Sequence, residues 1–106
     1  MFDFFKNILG NTSNNLAEII AKGALLVDVR TPAEFASGTA EGAINIPLDT
    51  LSQHLEAFQG KENIVVFCRS GNRSGMAKKI LESIGFHNIT NGGAWENVAA
   101  NIQPKL

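Results

Sequence analysis

From residue 16 onward the chain alternates between helical and extended spacing of its apolar positions. Leu16, Ile19 and Ile20 recur at helical intervals, and Lys22-Gly23 supplies a stop. Ala24 to Val29 is a short apolar run without polar alternation, the pattern of a strand covered on both faces. Thr31-Pro32-Ala33-Glu34 combines a capping residue, a proline at the first helical position and a capping-box glutamate, so a short helix starts there. Ala43-Ile44-Asn45-Ile46, ahead of Pro47, predicts a second strand. Leu48, Leu51, Leu55 and Phe58 follow at spacings of three, four and three, one face of a helix ending near Gly60. Asn63-Ile64-Val65-Val66-Phe67 is the clearest strand, β-branched and continuously apolar, and it runs into Cys68. After a polar loop, Met76, Ile80 and Ile84 line one face of a helix, with Lys78, Lys79 and Glu82 on the other and Gly85 at its end. His87-Asn88-Ile89-Thr90 is a last short strand. Elements of this length in alternation predict an α/β domain with a largely parallel sheet.

The N-terminus reads differently. Residues 1–11 form a separate apolar segment, expected as a short helix with Phe2, Phe5 and Leu9 on one side. The polar stretch Gly10-Asn11-Thr12-Ser13-Asn14 divides it from a domain over 12–106. Docking of its apolar side onto that domain is the expected arrangement. A monomer is expected, with Phe2, Phe4 and Phe5 as the surface that would build a dimer contact.

Composition narrows the function. At 106 residues there is room for one core. Nine basic against ten acidic residues give a formal charge of −1, which argues against a protein that grips nucleic acid by its phosphates. An apolar share of 44% and a charged share of 18% argue against a disordered chain. The single cysteine excludes an intramolecular disulfide and, with only His54 and His87 beside it, argues against a cysteine-rich zinc site. No apolar run approaches the ~18 residues of a membrane span. Asp3 and Lys6 interrupt the N-terminal segment and no small-residue cleavage site follows, so a secretion signal is not expected and a cytoplasmic location is.

Candidate chemistry concentrates in Cys68-Arg69-Ser70-Gly71-Asn72-Arg73-Ser74-Gly75, between the best buried strand and the helix after it. In open α/β sheets the carboxyl ends of strands face the ligand crevice. A helix N-terminus there offers unpaired N–H groups and a positive dipole end. A cysteine so placed, flanked by Arg69 and Arg73, ionises more readily than a free thiol, and the thiolate is the attacking form. An inert core cysteine is the plainer alternative, but it would not need two arginines, two glycines and a strand-to-helix turn. A helix cap at Ser70 or Asn72 would account for some of the polar residues.

These residues do not stand alone. Leu26-Val27-Asp28-Val29-Arg30, Glu34-Phe35, Gly42-Ala43-Ile44-Asn45-Ile46-Pro47, the cysteine loop, and Gly92-Gly93 with Trp95 resemble, in order, the rhodanese (thiosulfate sulfurtransferase) homology domain. The resemblance runs from about residue 24 to 98. It implies a three-layer rhodanese-like α/β domain, a largely parallel sheet with helices on both faces. It implies that Cys68 is the catalytic residue, accepting a sulfane sulfur from a small anionic donor such as thiosulfate and carrying it as a persulfide. Arg69, Ser70, Gly71, Asn72 and Arg73 match the substrate-binding loop, while Asp28, Arg30 and Glu34 match residues that support the site. Cyanide in the test tube, and a thiol or protein cysteine in the cell, would take the sulfur. No metal and no cofactor are expected.

The chain departs from the family pattern in places. Gly38-Thr39-Ala40 stands where Gly-His-Ile is usual, Trp95 follows Gly93 closely, and no short first strand is evident before Leu16. A sulfur relay or protein-binding module with little thiosulfate turnover is the rival reading. A cysteine-dependent phosphatase or arsenate reductase is a weaker one, because those enzymes use Cys-x5-Arg and this chain has Cys68-x4-Arg73, with Ser74 in the arginine's place. Neither histidine pairs with the cysteine in sequence, and none is needed if the thiol is already ionised.

Overall fold

A computed structural model describes residues 15–102, so the segment 1–11, with its expected helix and docking face, lies outside the described residues. Four strands form one sheet: β1 (Leu25–Asp28), β2 (Ile44–Asn45), β3 (Ile64–Cys68) and β4 (Ile89–Ala94). All pair in parallel, in the order β2-β1-β3-β4. Parallel neighbours need crossover connections. Helical residues 15–21 (α1) precede β1, α2 (Pro32–Ala36) joins β1 to β2, α3 (Asn72–Ile84) joins β3 to β4, and α4 (Trp95–Ala100) follows β4. Among the described residues, no helix is long and apolar enough to cross a membrane.

The central strand explains the layering. All five residues of β3 are buried, which is why its sequence is apolar without alternation. Ile64, Val66 and Cys68 point into one apolar layer with Leu51, Phe58, Ala77 and Leu81. Val65 and Phe67 point into the other, with Leu16, Ala40 and Val98. The three-layer α/β domain expected from the sequence is therefore present, and Cys68 emerges on the face covered by α3.

Three elements differ from expectation, the first being the last strand, expected over His87 to Thr90 but running from Ile89 to Ala94. The helix predicted over Leu48 to Phe58 is a pair of 3₁₀ helices, Leu48–Gln53 and Leu55–Phe58, broken at His54. The spacing carries the reason: Leu48 to Leu51 and Leu55 to Phe58 are each three apart, one 3₁₀ turn, and the step of four spans the break. On α3 the predicted apolar line is displaced. Ser74, Ala77 and Leu81 are the buried residues, whereas Met76 is 57% and Ile84 47% exposed. The helix lies close on β3 and β4, so its contact face uses small residues, which a count of large apolar side chains overlooks.

One irregularity in the sheet prepares the site. Val66 pairs with Asn91 and Phe67 with Gly93, leaving Gly92 as the extra residue of a β-bulge. A Cβ at Gly92 would stand 2.6 Å from Val98 Cγ2 and 2.9 Å from Val65 Cγ1, so only glycine fits between sheet and α4. Gly92→Ala is expected to destabilise the protein by about 1–3 kcal/mol through overpacking. Urea unfolding would show this as a lower midpoint with an unchanged slope. Met76→Ala, on the exposed face of α3, is expected to stay within about 0.5 kcal/mol of wild type in the same measurement.

Candidate active site

Strand β3 ends at Cys68, and α3 begins four residues later, at Asn72. Gly71 caps that helix in the left-handed region, at φ +97°, with no side-chain cap from Ser70 or Asn72. This turn folds the Gly71 N–H back onto Cys68 Sγ at 3.0 Å. Side chains resist such a φ, which is the reason for glycine at this position. The Ser74 hydroxyl, one turn into α3, lies 3.4 Å from the same sulfur.

Cys68 is only 1% exposed, as an inert core cysteine would be, yet its sulfur faces hydrogen-bond donors. Burial pushes the thiol up. Hydrogen bonds from the Ser74 hydroxyl and the N–H groups of Ser74, Ser70 and Gly71 together outweigh it, and the thiol lies below its ordinary value. The site therefore makes the thiolate easier to form than it is for a free thiol.

The two loop arginines have different surroundings. Arg73 donates to both carboxylate oxygens of Glu34, at 2.7 and 3.1 Å, a bidentate pair joining α3 to α2. Glu34 is also the capping-box residue of α2, accepting the Thr31 N–H at 3.0 Å. The Arg73 guanidinium, then the Thr31 N–H, hold its carboxyl down at about 2. Arg69 is exposed and makes no ion pair among the described residues. Ser70 and Asn72 are likewise exposed at the loop's outer side.

Asp28 and Arg30 form a buried pair behind the loop, not in contact with the sulfur. Arg30 Nη2 donates to Asp28 Oδ2 at 2.6 Å and to the Gly38 carbonyl at 2.6 Å, and its guanidinium lies 5.4 Å from the centroid of the half-buried Trp95 ring. Thr39, which replaces the expected histidine, donates its hydroxyl to Asp28 Oδ2 at 2.8 Å, and Ala40 is wholly buried beneath it in the core. The departure from the family pattern thus supplies a hydrogen bond of its own. His54 and His87 are both exposed, and neither contributes a hydrogen bond to the site.

A cleft of about 280 Å³ adjoins the loop through Arg73 and is lined also by Val29, Thr31, Pro47, Leu48 and Asp49. Two residues to which sequence reasoning assigned no role at the sulfur reach the site. Ser74 touches the sulfur, and Asn91 on β4 accepts the Ser74 hydroxyl at 2.7 Å. A signal for Ser74 does exist: it lies three and seven residues before Ala77 and Leu81, a polar residue on the buried face of α3.

The Glu34–Arg73 pair has a pH signature. Because the folded-state value of Glu34 is depressed, its contribution is complete above the unfolded value near 4.5 and is lost as pH falls through about 2. The stability difference between wild type and Glu34→Gln should therefore be constant above about pH 5.5 and shrink steadily below it. Denaturation midpoints across that range check this.

Comparison with known proteins identifies the family of the fold. A family model for the rhodanese-like domain matches residues 12–100. The thiosulfate sulfurtransferase PspE of Escherichia coli (strain K12) is 33% identical over 75 residues, covering 69% of this chain and 72% of its own. The thiosulfate:glutathione sulfurtransferase of Homo sapiens is 35% identical over 91 residues, 72% of this chain and 79% of its own. Among solved structures, a rhodanese with anions from E. coli aligns with a TM-score of 0.66 at 32% identity, covering 73% of this chain and 93% of that one. A buried cysteine at a parallel strand's carboxyl end, under the N-terminus of the next helix, is thus set within a chain that belongs to the rhodanese-like domain family.

Proposed function

We propose that this protein is a sulfurtransferase that carries sulfane sulfur on Cys68, taking it from a small anionic donor such as thiosulfate. The observation that carries the reading is the Cys68 sulfur itself, buried yet accepting the Gly71 N–H at 3.0 Å and held below its ordinary ionisation. The thiolate attacks the outer sulfur of thiosulfate. A new sulfur–sulfur bond forms, the donor's own sulfur–sulfur bond breaks, and sulfite departs with that electron pair. The anionic persulfide then gives its terminal sulfur to cyanide in vitro, or to a thiol or protein cysteine, and the Cys68 thiolate returns. In this reading the loop donors, which ease ionisation of the thiol, stand in place of a general base. With one cysteine in the chain, the persulfide has no internal partner and its sulfur must leave to an outside acceptor.

The two loop arginines have different roles in this reading. Glu34 already neutralises Arg73, whose role is to fix the loop against α2. Arg69 brings the uncompensated charge that a dianionic donor requires. The loop N–H groups favour the negative charge on the reacting sulfur. A phosphatase reading finds less support, because the Arg73 guanidinium is held by Glu34 and the loop has Cys-x4-Arg, with Ser74 where the phosphatase arginine would stand.

Intact mass after thiosulfate should show one added sulfur on wild type, removed by cyanide, and none on Cys68→Ser. Arg69→Ala should raise KM for thiosulfate by about tenfold with a smaller change in kcat, the loss of one charge-assisted contact. Absence of an adduct from thiosulfate, polysulfide and mercaptopyruvate alike would remove the enzyme reading in favour of a binding module.

A further inference from the structure

The Ser74 hydroxyl carries one proton and has two neighbours that compete for it. Asn91 Oδ1 is 2.7 Å away, and Cys68 Sγ is 3.4 Å away on the other side. The orientation of the Asn91 amide is fixed independently: the Gly93 N–H donates to Oδ1 at 2.9 Å, and Nδ2 donates to the Gly71 carbonyl at 3.2 Å. Oδ1 has no hydrogen, so the 2.7 Å contact takes the Ser74 proton. Towards the sulfur, Ser74 can then only accept, which suits the Cys68 thiol as donor. Once Cys68 ionises, lone pairs would face each other across that contact unless the Ser74 proton turns to the sulfur.

We infer that the Ser74 hydroxyl is a two-position switch, resting on Asn91 while Cys68 is a thiol and turning onto Sγ when it is a thiolate. Asn91 is the positioning residue that sets how easily Cys68 ionises. The bulge at Gly92 gives the device its geometry, because it bends β4 where Asn91 meets both α3 and the loop. The lowering contributed by the Ser74 hydroxyl is consistent with the turned position. Removing the Asn91 carbonyl frees the proton in advance, so ionisation no longer breaks a hydrogen bond. This deepens the reading above and rests on Cys68 as the nucleophile.

Other charges act on Cys68 as well. Arg73 of α3 is paired with Glu34 of α2, Arg69 is in the loop, and the Asp28–Arg30 pair closes β1. Glu96 of α4 acts on Arg30, and Asp49 lines the cleft with Arg73. A double-mutant cycle keeps all of these in every protein, so their fields cancel.

The test is the pH profile of iodoacetamide alkylation, unambiguous because Cys68 is the sole cysteine. Wild type, Asn91→Ala, Ser74→Ala and the double variant are compared. Ser74→Ala should move the midpoint to higher pH. Asn91→Ala should move it lower by more with Ser74 present than in the Ser74→Ala background, a difference of roughly threefold to tenfold in thiolate at fixed pH below the midpoint. Loss of the Asn91–Gly71 bond appears in both backgrounds and subtracts out. Asn91→Asp, whose carboxylate holds the Ser74 proton more strongly, should raise the midpoint by more with Ser74 than without it. It serves also if Asn91→Ala does not fold. Equal shifts in the two backgrounds, or a difference of opposite sign, would overturn the switch. Alkylation does not require sulfur transfer, so a wild type without a persulfide adduct would defeat the proposed function while leaving this cycle readable.

Discussion

The Asp28 carboxylate, wholly buried at the end of β1, must find in protein every hydrogen bond that water would otherwise give it. It receives them from the Arg30 N–H and Nε at 3.0 and 2.9 Å, from Arg30 Nη2, and from the Thr39 hydroxyl. The Asn45 amide spans the same turn, donating to the carbonyls of both Asp28 and Arg30. A buried ion pair adds little net stability when desolvation is counted, but losing one member leaves an uncompensated charge. Its value here is geometric. It fixes where β1 stops, where α2 starts, how the 38–40 turn lies and where Trp95 packs. Because Glu34 is carried on α2 and grips Arg73, the same constraint reaches the cysteine loop without touching the sulfur.

Within the loop, the balance is between dehydration and directed donors. Burial alone would make Cys68 a poor nucleophile. The left-handed turn at Gly71 and the opening of α3 bring N–H groups to the sulfur, and their sum exceeds the burial penalty. The backbone N–H donors, unlike the Ser74 hydroxyl, need no reorientation as charge moves onto the buried sulfur, which is the condition for electrostatic stabilisation. The bulge at Gly92 belongs to the same economy of space, since it lets β4 close against the loop on one side and α4 on the other.

Much of this was legible in the sequence, for local reasons. The Thr31–Glu34 capping box, the β3 run and the Gly85 stop are each decided by residues within a turn or two of one another, and each is found in place. What was not legible depends on distance along the chain. Glu34 and Arg73 are 39 residues apart, and Ser74 and Asn91 are 17 apart, so neither pair leaves a spacing signal. The 3₁₀ pair after Pro47 and the displaced face of α3 failed for a different reason. Both patterns count large apolar side chains, while the outcome turned on helix type in one case and on close packing by Ser74 and Ala77 in the other.

The size of the loop and the fate of its last arginine point the same way. Six residues run from Cys68 to Arg73, and the Gly71 N–H is directed at the sulfur itself, at 3.0 Å. A tetrahedral group would call for a guanidinium turned inward to share its oxygens. Here Arg73 is turned outward and spent on Glu34, and a hydroxyl that can accept or donate stands beside the sulfur instead. On the function proposed above, this is a loop that carries a single sulfur atom.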